Sequence, residues 1–207
     1  MAISQAALPP VRAGRFIVHG SHDRDRIPYG PRSILVDAGE AFGTAHHATT
    51  LGCLLAIDRL TRRRNFHRVL DLGCGSGVLA IAASRVLPAA SVFASDNDPI
   101  AVEVARGNAV GNGAKGIRFA CALGLDHPLL RGAAPFDLVI ANILAGPLRA
   151  LSGDIAAALR GGGLVVLSGI LNPEAPAVIA AYHAHGFSLI ERRQIGEWTT
   201  LTLSRRA

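Results

Sequence analysis

Three glycines interrupt the chain directly after a short apolar segment, in VLDLGCGSG (residues 69–77). Glycines at positions 73, 75 and 77 allow a tight turn and let a ligand lie against bare backbone. A dinucleotide fingerprint, G-x-G-x-x-G, would require a glycine at position 78, where this chain has Val78. The observed G-x-G-x-G spacing therefore favours a ligand without a pyrophosphate, and the alternative is an ordinary tight turn.

Two further polar residues stand at the ends of apolar segments. Asp96, in SVFASDNDP, comes twenty-three positions after Gly73, where a carboxylate can accept both hydroxyls of a ribose. Asp98 and Pro99 are typical of a helix start. Asn142, in FDLVIANILAGPL, offers an amide acceptor and donor that can hold a substrate amine or the amino-acid part of a cofactor. Together the three loops fit S-adenosylmethionine better than a nucleotide with phosphates.

A polar stretch, AFGTAHHATT (residues 41–50), precedes the apolar run LGCLLAIDRL. We interpret it as a loop that forms a lid, with Thr49 or Thr50 capping the following helix and a threonine hydroxyl facing the cofactor. Adjacent His46 and His47 lack a Cys or acidic partner at metal-ligand spacing, so we expect no metal site. They are predicted to be polar groups of the lid, with His47 as a general base the less favoured alternative. A serine hydrolase is not indicated, because the G-x-S-x-G motif is missing.

The segments around these loops alternate between strand and helix patterns, which predicts a parallel sheet with helices on both faces. Strands are predicted at residues 67–73, 91–96, 116–120, 136–142, 163–170, 186–193 and 198–204, and helices at residues 78–87, 99–110, 145–159 and 173–185. The turn at Gly196 is too short for a parallel crossover, so the last two strands should pair antiparallel. The predicted fold class is α/β, Rossmann-like, with seven strands and a reversed edge strand. Its ligand should lie beyond the carboxyl ends of the strands, where the three loops meet.

Composition limits the remaining possibilities. A chain of 207 residues, 50% hydrophobic, can bury one core and is too short for two full domains. No apolar segment approaches the ~18 residues that span a bilayer, and the first residues lack a signal-peptide pattern, so we expect a cytoplasmic protein without a membrane partner. Cys53, Cys74 and Cys121 form no C-x-x-C pair. Each is predicted to be a small buried side chain, without a disulfide or structural zinc.

The net charge of +6 raises the question of nucleic-acid binding. Among lysines and arginines, every residue except Lys115 is an arginine, which suggests coding bias more than selection for a binding surface. The densest group, residues 59–68, falls between a predicted helix and strand, where a solvated charged run is the ordinary outcome. We therefore expect no direct nucleic-acid binding, and we also expect a monomer.

These motifs carry a family resemblance. The segments AFGTAHHATT, VLDLGCGSGVLAI, SDNDPIAVEVARGNAVGNG, DLVIANILAGPLRAL, GGGLVVLSGIL and the terminal EW resemble the ribosomal protein L11 methyltransferases, the PrmA family, over residues 15–204. The resemblance implies a class I methyltransferase that uses S-adenosyl-L-methionine to methylate lysine ε-amines and an N-terminal α-amine. It also implies cofactor contacts at Thr50, Gly73, Asp96 and Asn142. Gly75 of the glycine loop joins this predicted cofactor set, and Asn142 is the candidate catalytic residue that orients the amine.

Two departures from the family pattern affect these expectations. Ala45 stands where the family loop has a glycine, which can loosen the lid if that position needs a positive φ. The family also carries a separate N-terminal domain that grips the ribosomal protein, and RFIVHG resembles the linker strand after it. We therefore expect residues 1–32 to be a linker remnant, residues 33–207 to be the methyltransferase domain, and substrate binding to be weak.

Two other functions stay open at this point. One is lysine methylation of a different protein, such as the β-subunit of electron-transfer flavoprotein, whose methyltransferases are similar single-domain enzymes. The other is a non-enzymatic remnant that binds S-adenosylmethionine. The presence of Gly73, Asp96 and Asn142 argues against a remnant, which would tolerate their loss.

Overall fold

The computed structural model describes residues 10–27, 30, 32–36 and 44–206, with side chains described from Ala48 onward in the last range. Residues 41–43 of the predicted lid lie outside the described residues, as do the side chains of Ala45, His46 and His47. The proposed roles of the two histidines therefore stay predictions, whereas the predicted loop at 41–50 is wrong from residue 44 onward, where the chain is helical.

A small three-stranded sheet opens the described chain. Its strands are β1 (Val11–Ala13), β2 (Phe16–His19) and β3 (Ser33–Leu35), with β1 antiparallel and β3 parallel to β2. Only the segment of β2 was anticipated, as the linker strand. Phe16 and Ile34 are fully buried in the main hydrophobic core. The predicted domain boundary between residues 32 and 33 falls between the paired strands β2 and β3, and that division stays a prediction.

Seven strands form the main sheet. They are β4 (Arg68–Leu72), β5 (Ser91–Asp96), β6 (Arg118–Cys121), β7 (Phe136–Asn142), β8 (Leu159–Leu171), β9 (Phe187–Ile195) and β10 (Trp198–Arg205). Their spatial order is β6-β5-β4-β7-β8-β10-β9. Strands β4 to β8 are parallel to one another, whereas β10 is antiparallel to both β8 and β9. The predicted α/β class is confirmed. The reversed strand is β10, which lies between β8 and the edge strand β9.

Seven α-helices accompany the strands within the described residues. They are α1 (Thr44–Thr61), α2 (Val78–Val86), α3 (Pro99–Gly111), α4 (Pro128–Ala133), α5 (Ala145–Ala150), α6 (Ser152–Ala158) and α7 (Ala175–Ala184). Helices α1 to α3 pack into one buried cluster and α4 to α7 into another, one on each face of the sheet. Strand β7, FDLVIAN, is buried at its first six positions, as expected for a parallel strand covered on both faces.

Several sequence predictions require correction. The helix predicted at 145–159 is two short helices that meet at Leu151, and the second ends at Ala158, directly before β8. Helix α4 was missed, although His127 caps it and Pro128 occupies its first turn. Cys53 and Cys74 are buried as predicted, but Cys121 is exposed at the end of β6, where the strand leaves the sheet.

The predicted start of α1 was also wrong. Thr49 and Thr50 do not cap this helix, which already begins at Thr44. Threonine and glycine are weak helix formers, so the T-T-L-G sequence at 49–52 misleadingly indicated a boundary. Packing on the sheet overrides that propensity, since Thr49 and Thr50 are both buried.

Candidate active site

The glycine loop joins β4 to α2 at the carboxyl edge of the sheet. Gly73 has a φ of +72°, and an added Cβ would lie 2.3 Å from Cγ2 of Ile143, so both the backbone and the neighbouring loop require glycine here. The N–H groups of Gly73 and Cys74 donate to the Ser95 carbonyl at 2.8 and 2.9 Å. These bonds fix the loop against the end of β5.

Asp96 ends β5 and is tied to the glycine loop. Its Oδ2 accepts the Gly75 N–H at 2.9 Å, and its Oδ1 accepts the Asp98 N–H at 3.1 Å. A carboxylate has about four acceptor positions, so these two bonds leave capacity for the hydroxyls of a ribose. The predicted cap at Asp98 is confirmed, because its carboxylate accepts the Ile100 N–H at 2.8 Å.

A cavity of about 410 Å³ opens beside these residues. Gly73 and Asp96 line it together with Ser95, the loop after β6 at Leu123 and Gly124, and the start of α5. Its volume falls within the range of about 300–1,000 Å³ that is typical of small-molecule sites. Two sequence-predicted residues are thus brought to one cavity, at the edge where an open parallel sheet binds its ligand.

Asn142 and Thr50 meet next to this cavity without lining it. Asn142 ends β7, and its Nδ2 lies 3.4 Å from Oγ1 of Thr50 on α1. The following residue, Ile143, does line the cavity. The structure therefore places four predicted residues in two adjacent pairs, Gly73 with Asp96 and Thr50 with Asn142, while Gly75 reaches the first pair through its bond to Asp96.

Ser95 and Asp71 were not singled out as site residues. Ser95 is fully buried at the cavity wall, and its hydroxyl has no partner within the described chain. Asp71 is buried below the glycine loop, where its Oδ2 accepts the Ala80 N–H at 2.8 Å. The sequence could have indicated both residues, because each is a polar residue inside an otherwise apolar strand, and burying such a residue is costly unless it has a partner.

Burial shifts the ionisable groups around the loop toward their neutral forms. Burial raises the pKa of Asp71 to about 7; the bond from Ala80 acts against this shift, and the charge of Asp96 adds to it. Burial and the nearby Asp71 charge also raise the pKa of the Cys53 and Cys74 thiols. Neither thiol is therefore poised as a nucleophile. Within the described residues there is also no His, Cys, Asp and Glu cluster that could hold a metal ion.

These features fit S-adenosylmethionine. An added Cβ at Gly75 would meet nothing within 4 Å, so its backbone faces open space. The Ser95 hydroxyl supplies a polar group that no other described residue bonds, and Asp96 supplies a charged acceptor. The cofactor has a ribose and an amino-acid portion to use such groups and carries no phosphate. The sheet order, the glycine loop and the acidic residue that ends the next strand define a class I S-adenosylmethionine-dependent methyltransferase.

Comparison with known proteins narrows this class to a family. The family model for ribosomal protein L11 methyltransferase (PrmA) matches residues 2–206. A relative of that name from Caulobacter sp. (strain K31) is 47% identical over 205 residues, which cover 99% of this chain and 70% of the relative. One from Brucella suis (strain ATCC 23445 / NCTC 10510) is 51% identical over 186 residues, 89% of this chain and 65% of its own length. The chain belongs to the PrmA family, and it spans 65% to 70% of the length of these curated relatives.

A solved structure agrees with this assignment. The crystal structure of ribosomal protein L11 methylase from Lactobacillus delbrueckii subsp. bulgaricus matches with a TM-score of 0.78 at 30% identity. The match covers 93% of this chain and 94% of the solved chain. Family and fold together establish S-adenosyl-L-methionine as the cofactor of this methyltransferase. The roles of individual site residues stay predictions.

Proposed function

We propose that this chain transfers methyl groups from S-adenosylmethionine to amines of ribosomal protein L11. The observation that carries the proposal is the family match over residues 2–206, supported by a cavity that joins Gly73 and Asp96. Lysine ε-amines and an N-terminal α-amine are the proposed acceptors. No feature of the described residues favours the flavoprotein β-subunit or a non-enzymatic remnant.

The chain's own residues bind and orient the reactants in this proposal. Asp96 and the backbone at Gly73 and Gly75 hold the cofactor, which supplies an electrophilic sulfonium methyl group when bound. Asn142 orients the substrate amine, since its Oδ1 can accept an amine N–H while its Nδ2 contacts Thr50. Burial of the amine favours its neutral, nucleophilic form. Alignment and exclusion of water then account for most of the rate.

A labelling assay tests the proposal. The purified chain is incubated with methyl-labelled S-adenosylmethionine and either ribosomal protein L11 or the flavoprotein β-subunit. We expect label on the ribosomal protein alone, and Asn142→Ala should lower kcat on the order of 10²-fold because the amine is no longer aligned. Asn65→Ala, an exposed asparagine between α1 and β4, serves as the matched control. Label on the flavoprotein alone, or equal loss in both variants, would contradict the proposal.

The setting of the reaction follows from the proposed substrate. A ribosomal protein is available where ribosomes are assembled, which supports a cytoplasmic location. Within the described residues, no helix is both long and apolar enough to cross a membrane. We further propose that the enzyme acts as a monomer, which size-exclusion chromatography with light scattering tests directly.

A further inference from the structure

Six arginines gather at the edge of the sheet opposite the cofactor cavity. We call this surface the arginine edge; it consists of Arg63, Arg64, Arg68, Arg160, Arg205 and Arg206. They come from the chain after α1, the start of β4, the start of β8 and the end of β10. The parallel strands begin at this edge and the antiparallel β10 ends there. The fold thus adds three distant arginines to a run that is basic in sequence.

Most of these guanidinium groups are held by neutral acceptors. Arg64 donates to the Gly162 carbonyl at 2.9 Å and Arg68 to the Ala133 carbonyl at 3.2 Å. Arg205 donates to the Leu159 carbonyl. Carbonyl oxygens fix the side chains in place but leave their charge uncompensated.

Arg206 follows the same pattern, since its Nε donates to the Ser188 hydroxyl at 3.2 Å. Within the described residues, the carboxylate that contacts the edge is Asp137, which pairs with Arg160. Its other oxygen is already used by the N–H groups of His67 and Arg68, at 2.6 and 2.8 Å. Six guanidinium groups against one carboxylate give an excess of five positive charges, in a chain whose net charge is +6.

The chemistry of this surface points to phosphates. A guanidinium group presents a planar fork of donors that matches a phosphate and remains charged at any physiological pH. Protein interfaces depend on apolar and aromatic anchors. On β8, the exposed large hydrophobic side chain is Leu171, at the opposite end of the strand from Arg160. The exposed Leu189 and Ile190 belong to β9, which carries none of the six arginines. A phosphate backbone needs no such anchor.

We infer that the arginine edge binds the phosphate backbone of RNA. The choice of RNA rests on the proposed function, because a ribosomal protein substrate is found with RNA. The sequence alone argued against direct nucleic-acid binding, but it revealed only the local run at 59–68. Strand β7 has seven residues, about 23 Å at the rise of a parallel strand, so RNA bound at this edge leaves the cofactor cavity open.

Fluorescence anisotropy with a short labelled RNA duplex tests the inference. The test variant is Arg63→Gln/Arg206→Gln, which changes two exposed side chains of the edge. The matched control is Arg106→Gln/Arg192→Gln, which removes the same charge from exposed positions on α3 and β9. We expect the test variant to bind about tenfold more weakly and its log–log salt slope to fall by about two, with a much smaller loss in the control.

Several results would overturn the inference. They are no RNA binding by the unmodified chain at low salt, equal losses in the two variants, or displacement of RNA by polyglutamate at equal charge concentration. In the unmodified chain, the slope of log affinity against log salt concentration reports the number of phosphate contacts without the need for a variant. Methylation of free ribosomal protein L11 should be unchanged in the test variant, so failure of RNA binding is distinguishable from failure of the proposed function.

Discussion

Asp96 connects the glycine loop to the cofactor cavity through one carboxylate. We predict that Asp96→Ala weakens S-adenosylhomocysteine binding by about 1.5–3 kcal/mol, because the ribose hydroxyls lose a charged acceptor. Asp96→Asn keeps an acceptor without the charge and should lose less. Isothermal titration calorimetry measures both variants. Unchanged affinity in Asp96→Ala would remove this residue from the site.

Asp71 gives the protein a specific dependence of stability on pH. The unfolded chain releases this proton near its ordinary pKa of about 3.9, whereas the folded chain, with the Asp71 pKa raised by burial to about 7, keeps it longer. Because the folded state binds more protons between these values, the free energy of unfolding should fall as pH rises from about 4 to 7. The loss is on the order of a few kcal/mol.

Asp71→Asn tests this effect. The amide oxygen can still accept the Ala80 N–H, and the NH2 group replaces the carboxyl oxygen that lacks a partner in the described chain. The variant should match the unmodified protein near pH 4 and exceed its stability above pH 7. Urea unfolding across this range measures the difference. Parallel stability curves for the two proteins would contradict the prediction.

At the scale of elements, α1 depends on one glycine for its position on the sheet. An added Cβ at Gly52 would lie 2.0 Å from Oγ1 of Thr200 on β10. That hydroxyl also bonds to Ser168 at 2.9 Å, and the Ser168 hydroxyl donates to the Thr49 carbonyl at 3.2 Å. A buried polar network therefore holds the helix turn that carries Thr50 against β8 and β10.

Gly52→Ala should destabilise the fold by about 1–3 kcal/mol, because the added methyl group would overlap Thr200 unless α1 moves away from β10. It should also weaken S-adenosylhomocysteine binding if Thr50 contacts the cofactor. Gly107→Ala on α3 is the matched control, since a Cβ there meets nothing within 4 Å and alanine favours a helix. Urea unfolding should give opposite signs for the two changes. Adding Thr200→Ala to Gly52→Ala should restore part of the loss, and strict additivity would refute the contact.

At the scale of the whole molecule, the candidate cofactor site and the arginine edge lie at opposite ends of the parallel strands. The carboxyl ends of β4, β5 and β7 carry Gly73, Asp96 and Asn142, while the arginine edge lies where β4 and β8 begin. The N-terminal sheet is part of the same body, because the Asn112 side chain bonds to both the N–H and the carbonyl of Leu35, at 2.8 and 2.6 Å. The proposed RNA surface and the proposed methyl-transfer site lie at opposite ends of the strands of one sheet.

The sequence by itself determined the fold class and the loops that carry the candidate site. Glycine spacing, apolar strand patterns and the acidic residue that ends β5 are local signals, because turns, strands and caps depend on neighbouring residues. The strand at 136–142 and the helix start at Pro99 were predicted at the residues where the structure has them. The short turn at Gly196 was enough to predict the antiparallel pairing of β9 and β10.

Only the tertiary structure decided how distant segments meet. The helical conformation at the buried Thr49 and Thr50 and the close approach of Gly52 to Thr200 depend on packing between residues far apart in the chain, which overrides local propensity. That the Ser95 hydroxyl has no partner among the described residues is visible only once the sheet is assembled. The arginine edge has the same origin: the sequence shows one basic run, and strand order and direction bring the distant arginines of β8 and β10 beside it.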